Sequence, residues 1–366
     1  MALQKNKRLI RPSLGEEGSY HEGRGAQINT RNRFLGQEYV REHAEGIDEW
    51  WEPDDGTLYL EENAKTLVNK VDSPDVGMWY SMNPYQGCEH GCIYCYARNA
   101  HEYWGYSAGS DFEHRIMVKK NAPQLLRKFL ERKDWECKPI SLSGNTDCYQ
   151  PAERKWGISR SLLEVALEYR QPIGIITKNA GILRDVGLLK EMSASRLVCV
   201  FVSITTANEA LRRAMEPRTT TFAQRIKVLE TLSAEGIPTG VMTAPMIPGL
   251  NDHEMPQLLK AASEAGASMA GYTIVRLNGA VKLLFHDWLY KNFPDRADKV
   301  WRQIEACHGG KVNDSEFGSR MRGTGNEAEM IRQQFRVHTQ RLGLNAEKVS
   351  LDTSLFRRPG SQMSLF

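Results

Sequence analysis

Short apolar runs, punctuated by polar and glycine-containing stretches, dominate the middle of the chain. Those at 140–143, 173–177, 197–204, 239–244 and 271–277 have the length and β-branched content of buried strands. Between them, 162–169, 183–192 and 222–234 follow helical spacing. In the last of these, Phe222, Ile226, Leu229 and Leu232 form one apolar stripe; Gly236 stops the helix and Pro238 opens the next strand. Strands alternating with helices imply βα units and a parallel sheet. A first strand near 78–82 brings the count to about six units, the number of a partial (β/α)6 barrel in the α/β class.

The flanks differ from this core. Residues 1–48 are polar and rich in Gly, Arg, Asn and Glu, and read as a mobile arm; Gly23-Arg24-Gly25-Ala26 and Arg33-Phe34 are its stretches able to dock. An aromatic lead-in joins the barrel, so 49–278 form one unit. A helical extension follows over 279–345, carrying Trp288, Phe293, Trp301 and Ile304 and a helix near 327–342. The segment 346–366, with Pro359-Gly360, reads as a flexible tail.

Composition narrows the setting. Hydrophobic residues make up 41% of the 366 and charged residues 25%, a globular balance with no apolar run of membrane-spanning length. The first residues lack the apolar core of a signal peptide, so a reducing cytoplasmic location is expected. In that compartment seven cysteines are not a disulfide framework. The net charge of +3 names no partner, because nucleic-acid binding depends on local basic patches. Lys119-Lys120, Arg127-Lys128, 320–322 and Arg357-Arg358 are the candidates, the Gly-rich loop after Arg320 being the best placed to close over a site.

Three cysteines fall within eight residues. Cys88, Cys92 and Cys95 have the spacing C-x3-C-x2-C, in the stretch Asn83-Pro84-Tyr85-Gln86-Gly87-Cys88-Glu89-His90-Gly91-Cys92-Ile93-Tyr94-Cys95-Tyr96-Ala97-Arg98. Three thiolates on one short loop can ligate three irons of a [4Fe–4S] cluster and leave the fourth open. A zinc site with His90 as fourth ligand is the alternative, although zinc sites usually pair two C-x2-C units and no second pair exists here.

With this motif and its strand-loop context, the chain resembles the radical S-adenosylmethionine (SAM) superfamily, and within it the branch related to spore photoproduct lyase, over about residues 70–278. The resemblance implies a partial barrel with the cluster and SAM at the carboxyl ends of the strands, an electron donor such as flavodoxin or ferredoxin, and a 5′-deoxyadenosyl radical as the reactive species. It implies that Thr146 and Asp147, after the second strand, line the SAM pocket. It assigns Lys178, after the third, to the SAM carboxylate, and adds Ser203 at the end of the fourth. Tyr94 and Tyr96 match the family's tyrosines beside the third cysteine, with packing over the cluster as their other role. The family's hydrogen-donor cysteine falls on Gly144, so the lyase reaction does not transfer intact; Cys148, on the same loop, is the substitute donor or else a buried packing residue. Cys137, Cys199 and Cys307 read as structural, and Asn251 or Asp252 as a cap on the helix after the fifth strand.

DNA is the substrate class this resemblance implies, with modification of a peptide, RNA or metabolite as the second reading and a non-catalytic iron–sulfur or zinc adaptor as the third. The closing residues Gln362, Met363, Ser364, Leu365 and Phe366 resemble the peptide by which bacterial replication and repair proteins bind the sliding clamp. Two apolar side chains fill a pocket in that mode while the glutamine amide fixes register. Burying Leu365 and Phe366 is worth roughly 1.5–3 kcal/mol each before ordering costs. Deleting the last five residues is therefore expected to abolish clamp binding in a titration while SAM cleavage persists. The near-copy Asp352-Thr353-Ser354-Leu355-Phe356 should not rescue it, because Asp cannot donate the amide hydrogen bond.

Overall fold

The apolar runs become the six parallel strands of one sheet: β1 (Tyr80–Met82), β2 (Ile140–Leu142), β3 (Ile173–Thr177), β4 (Val198–Ser203), β5 (Thr239–Met246) and β6 (Met269–Ile274). The structure, a computed structural model, describes residues 23–35 and 56–359. The strands lie side by side in chain order, with Val68–Lys70 added antiparallel on the outer edge of β1. Such an arrangement is the expected partial (β/α)6 barrel.

Burial alternates along these strands, and that alternation positions the site. In β3 and β4, Ile173, Ile175, Val198, Val200 and Val202 are buried beneath the outer helices, while Gly174, Ile176, Cys199 and Phe201 on the opposite, concave face are half-buried. Six strands do not close, so this face is open and not packed on both sides as fully buried runs would be. Its floor is built by large side chains lying over glycines. A Cβ at Gly240 would stand 2.5 Å from the Phe201 ring, and one at Gly271 would stand 2.9 Å from the Met242 sulfur.

The helix Phe222–Ala234 matches its expected bounds and starts on Thr221, whose hydroxyl accepts the Gln224 N–H at 3.3 Å. Its buried face is different from the expected stripe. Arg225, Val228, Leu229 and Leu232 are buried, and Phe222 and Ile226 only partly so. A charge occupies the centre of an apolar face, and its partner lies in the site described below.

Two further units flank the barrel. Leu58–Glu62, Arg115–Lys119 and Tyr85–Gln86 form a three-stranded sheet that delivers the chain into the cysteine loop. Val281–Asn292 and Ala297–Ala306 build a second core, in which Leu284, Phe285, Trp288 and Val300 pack with Ala26, Cys92, Ile93 and Tyr94. The extension thus supports the cysteine loop from behind. The last helix, Gly325–Arg341, packs on the outside of the barrel beside β6.

Two segments expected to be loose are docked in part. Residues 23–35 dock at the two stretches anticipated: Gly25 lies against Gly91 of the cysteine loop, and Arg33-Phe34 meets Glu102 and Tyr103 beyond it. Residues 345–358 run beneath the barrel, where Asn345, Asp352 and Arg357 donate backbone N–H groups to the carbonyls of Ser268, Arg196 and Tyr169. Arg358 adds a bond to the carbonyl of Leu130 at 3.2 Å. The clamp-like residues 362–366 lie outside the described residues. Among the described residues no helix is long and apolar enough to cross a membrane.

Candidate active site

The cysteine loop begins where the strand Tyr85–Gln86 ends. Gly87 turns the chain at φ +81°, a left-handed conformation suited to glycine, and a Cβ there would meet the Arg115 carbonyl at 2.7 Å. The loop is pinned along its length. Cys88 N–H donates to the Phe112 carbonyl at 2.9 Å, and Ile93 N–H to the Met215 carbonyl at 3.0 Å. Gln150 accepts the Glu89 N–H at 2.9 Å and donates to the Gly87 carbonyl at 3.1 Å. Within the three-residue gap, His90 lies between Asn179 at 3.0 Å and Asp147 at 3.4 Å.

Cys88 and Cys92 are buried and Cys95 partly so. Burial pushes all three thiols above the usual cysteine range, and each of Cys88 and Cys92 is raised further by neighbouring cysteines of the loop. Thiolates in such a place need a cationic centre to carry their charge, and an iron–sulfur cluster supplies one. Among the described residues, no three His, Cys, Asp or Glu side chains converge as ligands of a single ion. Cluster ligation differs, since each thiolate takes its own iron. The donor set fits a cluster.

Beside the loop, the carboxyl ends of β2, β3 and β4 form a polar mouth. Asp147 accepts from the Tyr149 N–H at 2.8 Å, the Thr177 hydroxyl at 2.8 Å and the Lys178 N–H at 2.7 Å. Thr146 donates its hydroxyl to the Tyr85 carbonyl at 2.6 Å. Both residues expected to line a SAM pocket are thus engaged in joining loop to strand ends. Lys178 and Ser203 do face one another: the ammonium donates to the Ser203 hydroxyl, and lies 3.7 Å from Glu216 and 5.9 Å from the centre of the Tyr94 ring.

Sequence reasoning missed Glu216 and Arg225. Glu216 is fully buried and accepts from the Tyr94 hydroxyl, the Thr205 hydroxyl at 2.7 Å and the Arg225 guanidinium at 2.6 Å. Arg225 also donates to the Ser203 carbonyl at 2.8 Å. Burial alone would raise the Glu216 pKa, but the charges of Arg225 and Lys178 outweigh it and hold the carboxyl well below the usual range. The legible signal was Arg225 itself, three residues from Phe222 and four from Leu229 in an otherwise apolar register.

Tyr96 is about half exposed, at 53%, and donates its hydroxyl to the Gly144 carbonyl at 2.5 Å. Gly144 stands so close to β1 that a Cβ there would fall 2.6 Å from the Ser81 Cβ. Cys148 lies behind this loop in the main hydrophobic core, fully buried, with its N–H bonded to Ser143 at 2.6 Å and its carbonyl to Ser159 at 2.6 Å. Burial pushes its thiol far up. That environment is the one expected of a packing cysteine, and nothing in it supports the donor role. Cys307 is likewise buried, whereas Cys199 is partly open to the concave face. Asn251 and Asp252 do not cap the next helix as expected. Their side chains fasten their own turn, accepting the N–H groups of Ile247 at 2.6 Å and Gly249 at 2.8 Å.

A Radical SAM superfamily model matches residues 82–262 of this chain. An uncharacterized protein of Mycobacterium tuberculosis is 32% identical over 244 residues, covering 66% of this chain and 72% of its own. One from Methanocaldococcus jannaschii is 29% identical, covering 63% and 82%. Spore photoproduct lyase complexed with dinucleoside spore photoproduct superposes with a TM-score of 0.57 at 15% identity, over 82% of this chain and 86% of that one. A double mutant of that lyase, with bound AdoMet and the same dinucleoside, gives 0.57 at 16% identity over 82% and 86%.

Glu216→Gln removes the only carboxylate paired with Arg225 among the described residues. Leaving that guanidinium buried and uncompensated should cost roughly 3–5 kcal/mol, read as a lower urea midpoint. Because the folded-state pKa is depressed, the wild-type contribution is complete above the ordinary carboxylate range and lost as pH falls through and below it. Acid titration of stability should therefore be flatter in the variant.

Proposed function

The chain belongs to the radical SAM superfamily, and from that premise we propose that it is a DNA-modifying or lesion-repairing enzyme recruited by the bacterial sliding clamp. As a radical SAM enzyme it uses a [4Fe–4S] cluster and SAM, which when bound supply a 5′-deoxyadenosyl radical able to take a hydrogen atom from a substrate. In our reading Cys88, Cys92 and Cys95 hold the cluster. Lys178, steadied by Ser203 and Glu216, meets the SAM carboxylate. Tyr94 is committed to Glu216 and shapes the pocket wall, while Tyr96, half open beside Gly144, is the tyrosine able to face a substrate. The cytoplasm, with reduced flavodoxin or ferredoxin, supplies the electron.

The observation that carries the DNA reading is a partly buried arginine at the carboxyl end of the sheet. Arg276, two residues past the end of β6, is partly buried, feels the nearby charge of Arg320 and lies in the electrostatic field of Tyr96. Burial and Arg320 together lower the Arg276 pKa, with Asp75 and Asp314 only partly offsetting them. Arg320 is itself ion-paired with Asp75 at 2.5 Å, whereas among the described residues no carboxylate stands at ion-pair distance from Arg276, so Arg276 is the cation left to meet a phosphate beside the open face. Spore photoproduct lyase, whose fold this chain shares, carries a dinucleoside in its complex. The clamp-like peptide, outside the described residues, adds a second line of support.

The test is SAM cleavage by anaerobically reconstituted protein with intact DNA, lesion-bearing DNA, RNA and peptide mixtures. Lesion-bearing DNA should stimulate cleavage most, and Cys92→Ala should abolish it along with bound iron. Arg276→Gln should weaken DNA binding and reduce the slope of log affinity against log salt by about one, read by fluorescence anisotropy. Stimulation by RNA or peptide and not by DNA would replace the substrate reading.

A further inference from the structure

The segment 23–35 touches the cysteine loop more intimately than an arm resting on a surface. Gly25 and Ala26 donate their N–H groups to the two oxygens of Glu113, at 3.2 and 2.8 Å. Glu113 is fully buried and pairs with Arg98, itself fully buried, at 2.5 Å. Arg98 in turn donates to the carbonyls of Gly91 at 3.1 Å, inside the gap between the first two cysteines, of Cys92 itself at 2.9 Å, and of Gly109 at 2.9 Å. One continuous chain of charge-assisted hydrogen bonds therefore joins the segment to the cysteine-loop backbone.

The packing is equally specific. A Cβ on Gly25 would stand 1.7 Å from the Gly91 carbonyl oxygen. One on Gly109 would stand 2.1 Å from the Ile28 carbonyl oxygen, and one on Gly91 would stand 2.8 Å from Glu113. Three glycines, on both sides of the contact, permit an approach that no other residue allows. Ala26 enters the same core as Cys92 and Ile93. Farther along, Asn32 donates to the carbonyls of Glu102 at 2.8 Å and Tyr106 at 2.9 Å, and Thr30 N–H to Ser107 at 2.8 Å.

We propose that residues 23–35 form a clasp on the cluster loop, with Gly25, Glu113 and Arg98 as positioning residues, and that a seated clasp is the condition for retaining the cluster. The clasp holds the Gly91 and Cys92 carbonyls in place, so the three thiols keep one arrangement when the irons are attacked by a chelator or by oxygen. Without it the Glu113–Arg98 pair loses two backbone donors, and the middle of the loop is free to shift. Groups that orient ligands without touching the metal commonly govern affinity by ten- to a hundredfold. This inference rests on the cluster assignment to Cys88, Cys92 and Cys95 and is independent of the substrate.

The experiment uses full-length protein reconstituted anaerobically, as wild type, Gly25→Val, Glu113→Gln and Asn32→Ala. Iron release to an excess of an Fe(II) chelator is followed by absorbance, alongside the electron paramagnetic resonance signal of the reduced cluster without SAM. Metal-free melting curves report whether each barrel folds. Gly25→Val and Glu113→Gln should release iron about ten- to a hundredfold faster than wild type and give a heterogeneous signal, while their barrels still melt cooperatively. Asn32→Ala loosens the clasp far from the cysteines, so it keeps the cluster reading testable if Gly25→Val does not fold, and should shift release in the same direction. Wild-type release rates and spectra in folded Glu113→Gln and Asn32→Ala would overturn the clasp. A wild-type chain that takes up no iron would instead overturn the cluster assignment.

Discussion

Four groups from three parts of the chain converge on the carboxylate of Asp147. The backbone N–H of Tyr149 and the Thr177 hydroxyl reach one oxygen, and the Lys178 N–H and the His90 ring reach the other. A carboxylate suits this place because it accepts in several directions and brings no hydrogen of its own that would need a partner. Through it the cysteine loop, the turn after β2 and the end of β3 hold one geometry. The position of Lys178 depends directly on it, since the bond to Asp147 fixes the backbone from which that side chain leaves. A residue read from the sequence as a cofactor contact proves to be the fastening on which the mouth is assembled.

The second fastening is the buried pair of Glu216 and Arg225. Desolvating two charges consumes most of what their attraction returns, so such pairs are weak evidence of stability for its own sake. Here the pair has a positional consequence. Arg225 holds the Ser203 carbonyl while Lys178 holds its hydroxyl, so the end of β4 is fixed from two directions. Glu216 serves both cations, and with the Asp147 carboxylate beside them the mouth holds two carboxylates and two cations, of which Lys178 is the less buried. An anionic group arriving there meets a charge already desolvated and oriented, and little reorganisation is required.

How much of this was legible follows from the range of each signal. The strands and the helix Phe222–Ala234 were, because periodicity is local and the barrel rewards it. The cysteine motif was as well, since its chemistry is contained within eight residues. Partners distant in sequence were not. Nothing near Gly25 points to Glu113, and nothing near Glu216 announces Tyr94, which lies 122 residues earlier. Arg225 was the exception that could have been caught. A charge in an apolar helical register requires a buried counter-charge, even when its identity stays hidden. The docking of residues 346–358, read as part of a flexible tail, was not legible for a related reason: they dock mainly through backbone and arginine hydrogen bonds to carbonyls, which leave no apolar pattern.

Gly144 shows how packing limits chemistry. By the sequence resemblance the family's donor cysteine falls on this glycine, and the loop lies against Ser81 with no room for a side chain unless β1 or the loop moves. Its carbonyl is taken by the Tyr96 hydroxyl, which draws the loop and the segment after the third cysteine together. Cys148 does not make up the loss, because its thiol lies behind the loop among core residues. The neighbourhood that would hold a thiol donor is therefore closed by a glycine contact and faced by a phenol. Likeness of fold alone therefore does not carry the lyase's reaction over to this chain.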